Sequence, residues 1–373
     1  TLYSTNLSPS IVSSEYFLAD HNKDYVSDAN KFIEFVNNCK STDGKIKDKY
    51  FVLTSNIDMS GVEWAAIDVE NSVIDGKGYK ISNLKLKNVN NGSLSFFGTV
   101  NNSSIKNIEL ENVTFETDAQ NAAVVANVVK ASDISTGASN IEGIKISFNN
   151  EIAKQYTNFA AIANQVVDGS TIKECTISNL TINADTKINN VASVVNTIGK
   201  DSRVVKANIE YANLKAQSSV AGVANTNEGS VLDTTANITI NHTNENAIAT
   251  IAGLVGINRG EIAKANATLN INVEKSADNT KVAGVTTVNS GNISEVVLLG
   301  GGIAASSNSS DYLYIAGFAC ENNGKISSSK CAVEKLGTYN ADKRHYVAGI
   351  AVENSGNNSV INQVVVSSEI NGN

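Results

Sequence analysis

The sequence predicts an all-β chain: a right-handed parallel β-helix (a β-solenoid) of about ten coils with a short N-terminal capping helix. Three observations carry this expectation. A block of just over thirty residues recurs with its Asn and Gly positions held. Short runs of alternating polar and apolar residues fill the blocks. One helical pattern stands ahead of them, and none is evident after residue 40.

The repeat is plainest in the C-terminal half. Aligned on Val220-Ala221-Gly222-Val223, the phase returns at Ile251, Val282, Ile315 and Val347, at intervals of 31, 31, 33 and 32 residues. Asn falls in the eighth position each time: Asn227, Asn258, Asn289, Asn322 and Asn354. Gly falls in the tenth: Gly229, Gly260, Gly291, Gly324 and Gly356. Weaker copies start at Phe159 and Val191, and a looser one at Asn121. Leu94 starts a good copy, with Asn101 in the Asn column and Ser103 in the Gly column. A block this short cannot bury its own apolar face, but it can when stacked on its neighbours. Parallel crossovers are nearly always right-handed, and strands spaced ~4.8 Å apart give a rod of roughly 50 Å.

Taken in chain order, the elements agree. Residues 27–39 place Phe32, Ile33, Phe35 and Val36 mostly on one helical face, with Ser27 or Asp28 as N-cap. Such a helix would cover the open end of the first coil, otherwise an edge prone to aggregation. The expected division is residues 1–49 as N-terminal segment and helical cap, and 50–373 as one elongated domain. Ala236–Asn241 and Ala267–Asn272 alternate polar and apolar residues, the mark of a half-buried strand. Ile238 and Ile240 would face one side, with Asn237, Thr239 and Asn241 on the other. The Asn-x-Gly steps read as corners, with the Asn side chains stacking from coil to coil and Gly making the turn.

Residues 50–86 contain Tyr50-Phe-Val-Leu-Thr-Ser-Asn-Ile-Asp-Met-Ser-Gly61, Trp64, and Val73-Ile-Asp-Gly-Lys-Gly-Tyr-Lys-Ile-Ser-Asn-Leu84. This stretch resembles the opening of bacterial surface proteins with GLUG-type repeats. Phe96-Phe97-Gly98 and Ile105-Lys-Asn-Ile108 stand in the second part of that pattern, and Ala252-Gly-Leu-Val-Gly256 is close to its core. The chain departs from it at Asn56, where Asp is usual, and at Lys80, where Thr is common. The resemblance, over about residues 27–370, implies a secreted or outer-surface, adhesin-like β-helix and supplies no catalytic residues to carry over.

Composition bounds the rest. The net charge of −8 carries no Lys/Arg cluster, which argues against a nucleic-acid partner. No apolar run is long enough to span a membrane. The chain begins at Thr1, so either a leader has been removed or the sequence starts within a longer protein. Cys39, Cys175, Cys320 and Cys331 show neither a disulfide framework nor metal spacing; buried free thiols are expected, with a Cys320–Cys331 bridge left open. No cofactor or metal is expected.

Asp75-Gly76-Lys77-Gly78 lacks the glycines and following helix of a phosphate loop and reads as a turn whose glycines supply positive φ. Asp58, Glu63, Asp68, Glu70 and Asp75 gather in the first coil, with no matching concentration downstream. The chain is therefore expected not to be an enzyme. The alternative is a glycoside hydrolase or polysaccharide lyase on the same scaffold, which would show a groove with two carboxylates.

A site should lie where the repeat is broken. The connections before Ile315 and Val347 carry Tyr312, Tyr314, Tyr339, Arg344, His345 and Tyr346. Tyr314 and Tyr346 both stand one residue ahead of a unit start, so if that start faces inward their rings stack outside. Tyrosine faces beside charged groups suit sugars. The expected function is a secreted or surface-displayed binding or structural module. Its partners would be host or microbial glycans or surface proteins, with end-to-end association at the C-terminal coil as a further expectation.

Overall fold

The structure is a computed structural model and describes residues 23–135, 137–243, 249–307, 312–339 and 344–372. Residues 309–311 and 340–343 of the two connections lie outside it. The chain winds as a parallel β-solenoid of about eleven coils, one strand in each coil pairing with its equivalent in the next. Face one holds eleven strands, from Ile46–Lys47 to Ala351–Asn354. Face two holds nine, from Ser93–Leu94 to His345–Ala348. The third side is a larger sheet of 24 strands, including the long Thr235–Thr243, Asn266–Ser276 and Val297–Ser307.

The unit starts align as the repeat requires. Phe159, Val191, Val220, Ile251, Val282, Ile315 and Val347 stand in register on face two. Two upstream assignments shift by one residue. Ala122, not Asn121, pairs with Leu94 and Phe159. Asn101 pairs with Lys130, while Val100 leads through Val129, Val166 and Ile198 to Asn227, so Asn101 lies outside the Asn column. The early coils are less regular, and local sequence cannot settle a slip of one.

The corner after face one is built in two ways. In the C-terminal half Asn227 donates to the Asn258 side chain (2.8 Å), Asn258 to Asn289 (2.8 Å), Asn289 to Asn322 (2.8 Å) and Asn322 to Asn354 (2.7 Å). Further upstream the asparagine column is aliphatic and serines in line with the glycine column, Ser103 among them as expected, bond the corner instead: the Ser72, Ser103 and Ser139 amides donate to the hydroxyls of Ser103, Ser139 and Ser170 (2.9, 3.0 and 3.1 Å). Both devices satisfy polar backbone that the corner would otherwise bury unpaired. The neighbouring glycines serve a different purpose from the one expected. Gly229, Gly260, Gly291 and Gly324 do not have left-handed φ; a Cβ there would collide with the carbonyl oxygen of the coil before. Only Gly356 of that column is left-handed, at φ 100°. At the Asp75 turn Lys77 and Gly78 take the positive φ, whereas a side chain on Gly76 would strike the Asn107 carbonyl.

Helix α1 spans Ala29–Thr42 and is capped by Asp28, whose carboxylate accepts from the Lys31 amide (2.9 Å). Phe32 and Val36 are buried, while Ile33 and Phe35 are half-buried. The Phe32 ring stacks on Trp64 (5.3 Å) and meets Phe51 (5.3 Å) and Phe96 (5.9 Å). The helix thus closes the first coil with an aromatic plug. The coil itself begins before residue 50: Asp24–Val26 pairs with Phe51–Leu53, and Ile46–Lys47 is already the first strand of face one. Ile238 and Ile240 point into the core, as their alternation requires.

All four cysteines are free and buried. Cys331 belongs to the main core and Cys320 to a small cluster outside it, so the two point to different sides of the wall and do not bridge. Burial pushes the Cys175 and Cys320 thiols up to about 12.

Candidate functional site

Faces one and two meet in a lengthwise groove. One wall follows from alternation along face two: the unit starts point into the core, so the residues just before them point out. That outer column runs Asn121, Asn158, Asn190, Ser219, Thr250, Lys281, Tyr314 and Tyr346, each in register with the next. The opposite wall, on face one, runs Gln165, Thr197, Thr226, Ile257, Val288, Glu321 and Glu353. Between them lie the alanines that follow the unit starts, among them Ala192, Ala221, Ala252, Ala283 and Ala316, all 0% exposed. Ala283 and Ala316 pack with Cys320, against Tyr314 and Val352, apart from the main core.

Midway along, the groove holds a pocket of about 170 Å³ lined by amide and hydroxyl side chains, including Asn190, Asn225, Ser219 and Thr250. A second asparagine chain rises to it. Asn164 donates to Asn127 (3.1 Å), Asn196 to Asn164 (2.8 Å) and Asn225 to Asn196 (2.7 Å). Each of these three donors also bonds a backbone carbonyl, of Ala122, Phe159 and Val191. The next position in register is Gly256, which has no side chain and where a Cβ would strike the Asn225 carbonyl. The chain therefore ends on Asn225, whose Oδ1 is buried without a hydrogen-bond partner.

Toward the C-terminal end the groove changes character. The Tyr314 and Tyr346 rings stack (5.3 Å, 10°), and Tyr312 lies parallel to Tyr346 (6.2 Å, 5°). Arg344 sits over the Tyr312 ring (5.3 Å) and donates to its hydroxyl (3.1 Å). Burial, helped by Tyr346 and Tyr312, raises the Tyr314 phenol above its ordinary pKa. A pocket of about 270 Å³ opens beside Tyr314, walled by Lys281, Glu321 and Glu353, with Lys281 paired to Glu321 (2.7 Å). Larger hollows of about 580 and 550 Å³ lie away from the groove, the first beside Ile134 and Ala138 and the second beside Lys77 and Asn107. Neither is lined by the groove columns.

Of the six residues expected at the site, the structure gathers Tyr312, Tyr314, Arg344 and Tyr346. His345 is not among them. It is 9% exposed, with one ring nitrogen on the Ser307 hydroxyl (2.8 Å) and the other on Thr338. Alternation turns it inward between two outward neighbours. Tyr339 is exposed, but its hydroxyl bonds Asn272 on the long-strand side. The groove's amide and hydroxyl wall went unread in sequence because its residue type drifts along the rod, from three asparagines through Ser219, Thr250 and Lys281 to two tyrosines. The available signal was positional: the residue before each unit start.

No family model and no curated protein matches this chain. Two solved structures are similar to it. A proposed immunoglobulin A1 protease from Bacteroides ovatus is 16% identical over 68% of this chain and 78% of that chain, with a TM-score of 0.49. A structure named IgA1 protease is 14% identical over 74% of this chain, with a TM-score of 0.50, and this chain spans 22% of it. At such identity the likeness shows the fold alone. The expectation that the chain is not an enzyme does not stand, since a structure named IgA1 protease shares this fold and the coil is no argument against activity.

Proposed function

We propose that this solenoid binds an extended glycan along the groove between faces one and two, as a module secreted or displayed at a bacterial surface. The observation that carries the reading is the end of the inner asparagine chain at Asn225. Its Oδ1 lacks a donor, beside a pocket lined by amides and hydroxyls with Ile257 as an apolar member. A sugar hydroxyl brought to that oxygen would complete the chain while the amide nitrogen keeps Val191 and Asn196, and an unmade buried bond costs about 1–3 kcal/mol. Ser219 and Thr250 offer further partners at the spacing of the coils. The tyrosines give the groove an amphipathic end, apolar across the ring and polar at the hydroxyl. The likeness of residues 50–86 to GLUG-type surface proteins supports the setting.

A glycan array probed with the whole chain tests the reading. Binding to oligosaccharides that weakens in both Asn225→Ala and Tyr346→Ala supports it. Absence of binding to every glycan on the array, or binding untouched by either change, overturns it.

A second reading, cleavage of the bound polysaccharide, is favoured by Glu321 and Glu353. They stand in register on neighbouring coils. Strands there are ~4.8 Å apart, near the separation of the carboxylates in retaining glycosidases. Release of reducing ends from a bound oligosaccharide, lost in Glu353→Gln, would establish it.

A further inference from the structure

We infer that the C-terminal pocket of the groove takes the ammonium group of an amino sugar, so that the module prefers glycans with free amines. The inference rests on the glycan reading above and adds the class of sugar.

The argument is one of charge within the pocket. Its lining includes one cation, Lys281, and two carboxylates, Glu321 and Glu353. Lys281 is committed to Glu321 at 2.7 Å. Glu353 has no ion-pair partner among the described residues, and the residues in line with it on the two preceding coils are Glu321 and Val288. The remaining lining, which includes Asn279, Tyr314 and Cys320, is neutral, the Cys320 thiol being held protonated by burial. Among the described residues the pocket thus carries one carboxylate without a counter-ion, beside the edge of Tyr314. A neutral sugar would leave that charge to solvent. An amino sugar would set a hydroxyl against the edge and hydroxyl of Tyr314 and give Glu353 a charge-assisted hydrogen bond. Because Glu353 is exposed, the gain is modest, a preference of roughly fivefold at low salt.

The test compares two oligomers of one backbone. The whole chain is titrated calorimetrically with glucosamine hexamer and with its fully N-acetylated counterpart, at a pH where the free amines are charged. Glu353→Gln and Glu34→Gln are run alongside. Glu34, on the exposed side of α1 and far from the groove in sequence, makes the same change in net charge elsewhere. The expected result is tighter binding of the free amine by roughly fivefold in the wild type and in Glu34→Gln, with the preference lost in Glu353→Gln. Equal binding of the two oligomers, or a preference that survives Glu353→Gln, overturns the inference and leaves the glycan reading standing. If neither oligomer binds, the inference fails, and the array result decides the glycan reading separately.

Discussion

Tyr314 and Tyr346 hold the same position on neighbouring coils, their rings 5.3 Å apart and 10° from parallel. Their stacking direction is the direction in which coils stack, so the ring faces look along the rod. What they present sideways, to a ligand in the groove, is ring edge and hydroxyl. The face of Tyr314 toward Tyr346 is covered, whereas Tyr346 is 47% exposed.

That asymmetry separates binding from stability. Tyr346→Ala is expected to weaken glycan binding about tenfold while leaving the melting temperature nearly unchanged. Tyr314→Ala removes packing from the Ala283, Ala316 and Cys320 cluster and should lower stability as well. Calorimetric titration beside thermal denaturation of both variants reads the two effects apart.

The asparagine ladder of the corner predicts a gradient along the rod. Asn258→Ala removes one bond from the Asn227 amide and one from the Asn289 oxygen in a corner where all three residues are 0% exposed, leaving them the Glu261 carbonyl (3.1 Å) and the Gly291 amide (3.3 Å). A loss of about 1–3 kcal/mol is expected. Asn354 is exposed and closes the ladder, so Asn354→Ala should cost under about 1 kcal/mol. Urea denaturation of the two variants side by side checks the order.

His242 predicts a dependence on pH. It is 3% exposed on the strand Thr235–Thr243, its Nε2 has no partner, and Val273 stands in line on the next coil. Burial lowers its pKa to about 4; a hydrogen bond with the Ala216 backbone opposes the shift, and the Lys215 charge adds to it. The unfolded chain takes up this proton first, near pH 6.5, and the folded chain only near 4. Stability is therefore full above about pH 6.5 and falls as pH drops toward 4, by about 3 kcal/mol. His242→Val should flatten this part of the profile in denaturation curves collected between those limits.

The aromatic plug predicts what holds the first coil closed. Phe32→Ala removes a 1% exposed ring that touches Phe51, Trp64 and Phe96. A cost of about 3–5 kcal/mol is expected. Light scattering on warming should show earlier aggregation than in the wild type, because the helix no longer covers the first coil.

The sequence by itself determined the coil, its corners and its cap. These were legible because stacking repeats its demands from coil to coil: an inward residue at Val220 and its equivalents and, in the C-terminal half, an Asn to bond the corner and a Gly where one backbone approaches the next. A demand repeated on each coil leaves a periodic trace. The helix was legible from Phe32, Ile33, Phe35 and Val36 and the N-cap before them, since its period is local. Only the tertiary structure decided the groove. Its walls face out, where asparagines bond from coil to coil at one end and tyrosines stack at the other but no single residue type is required throughout, so Asn190, Thr250 and Tyr314 share a column without sharing a chemistry. The same holds for Glu353 and Lys281, 72 positions apart in the chain and brought to one pocket by register across the coils. His345 and Tyr346 make the point at the smallest scale: adjacent in sequence, they are sent to opposite sides of one strand by its pleat.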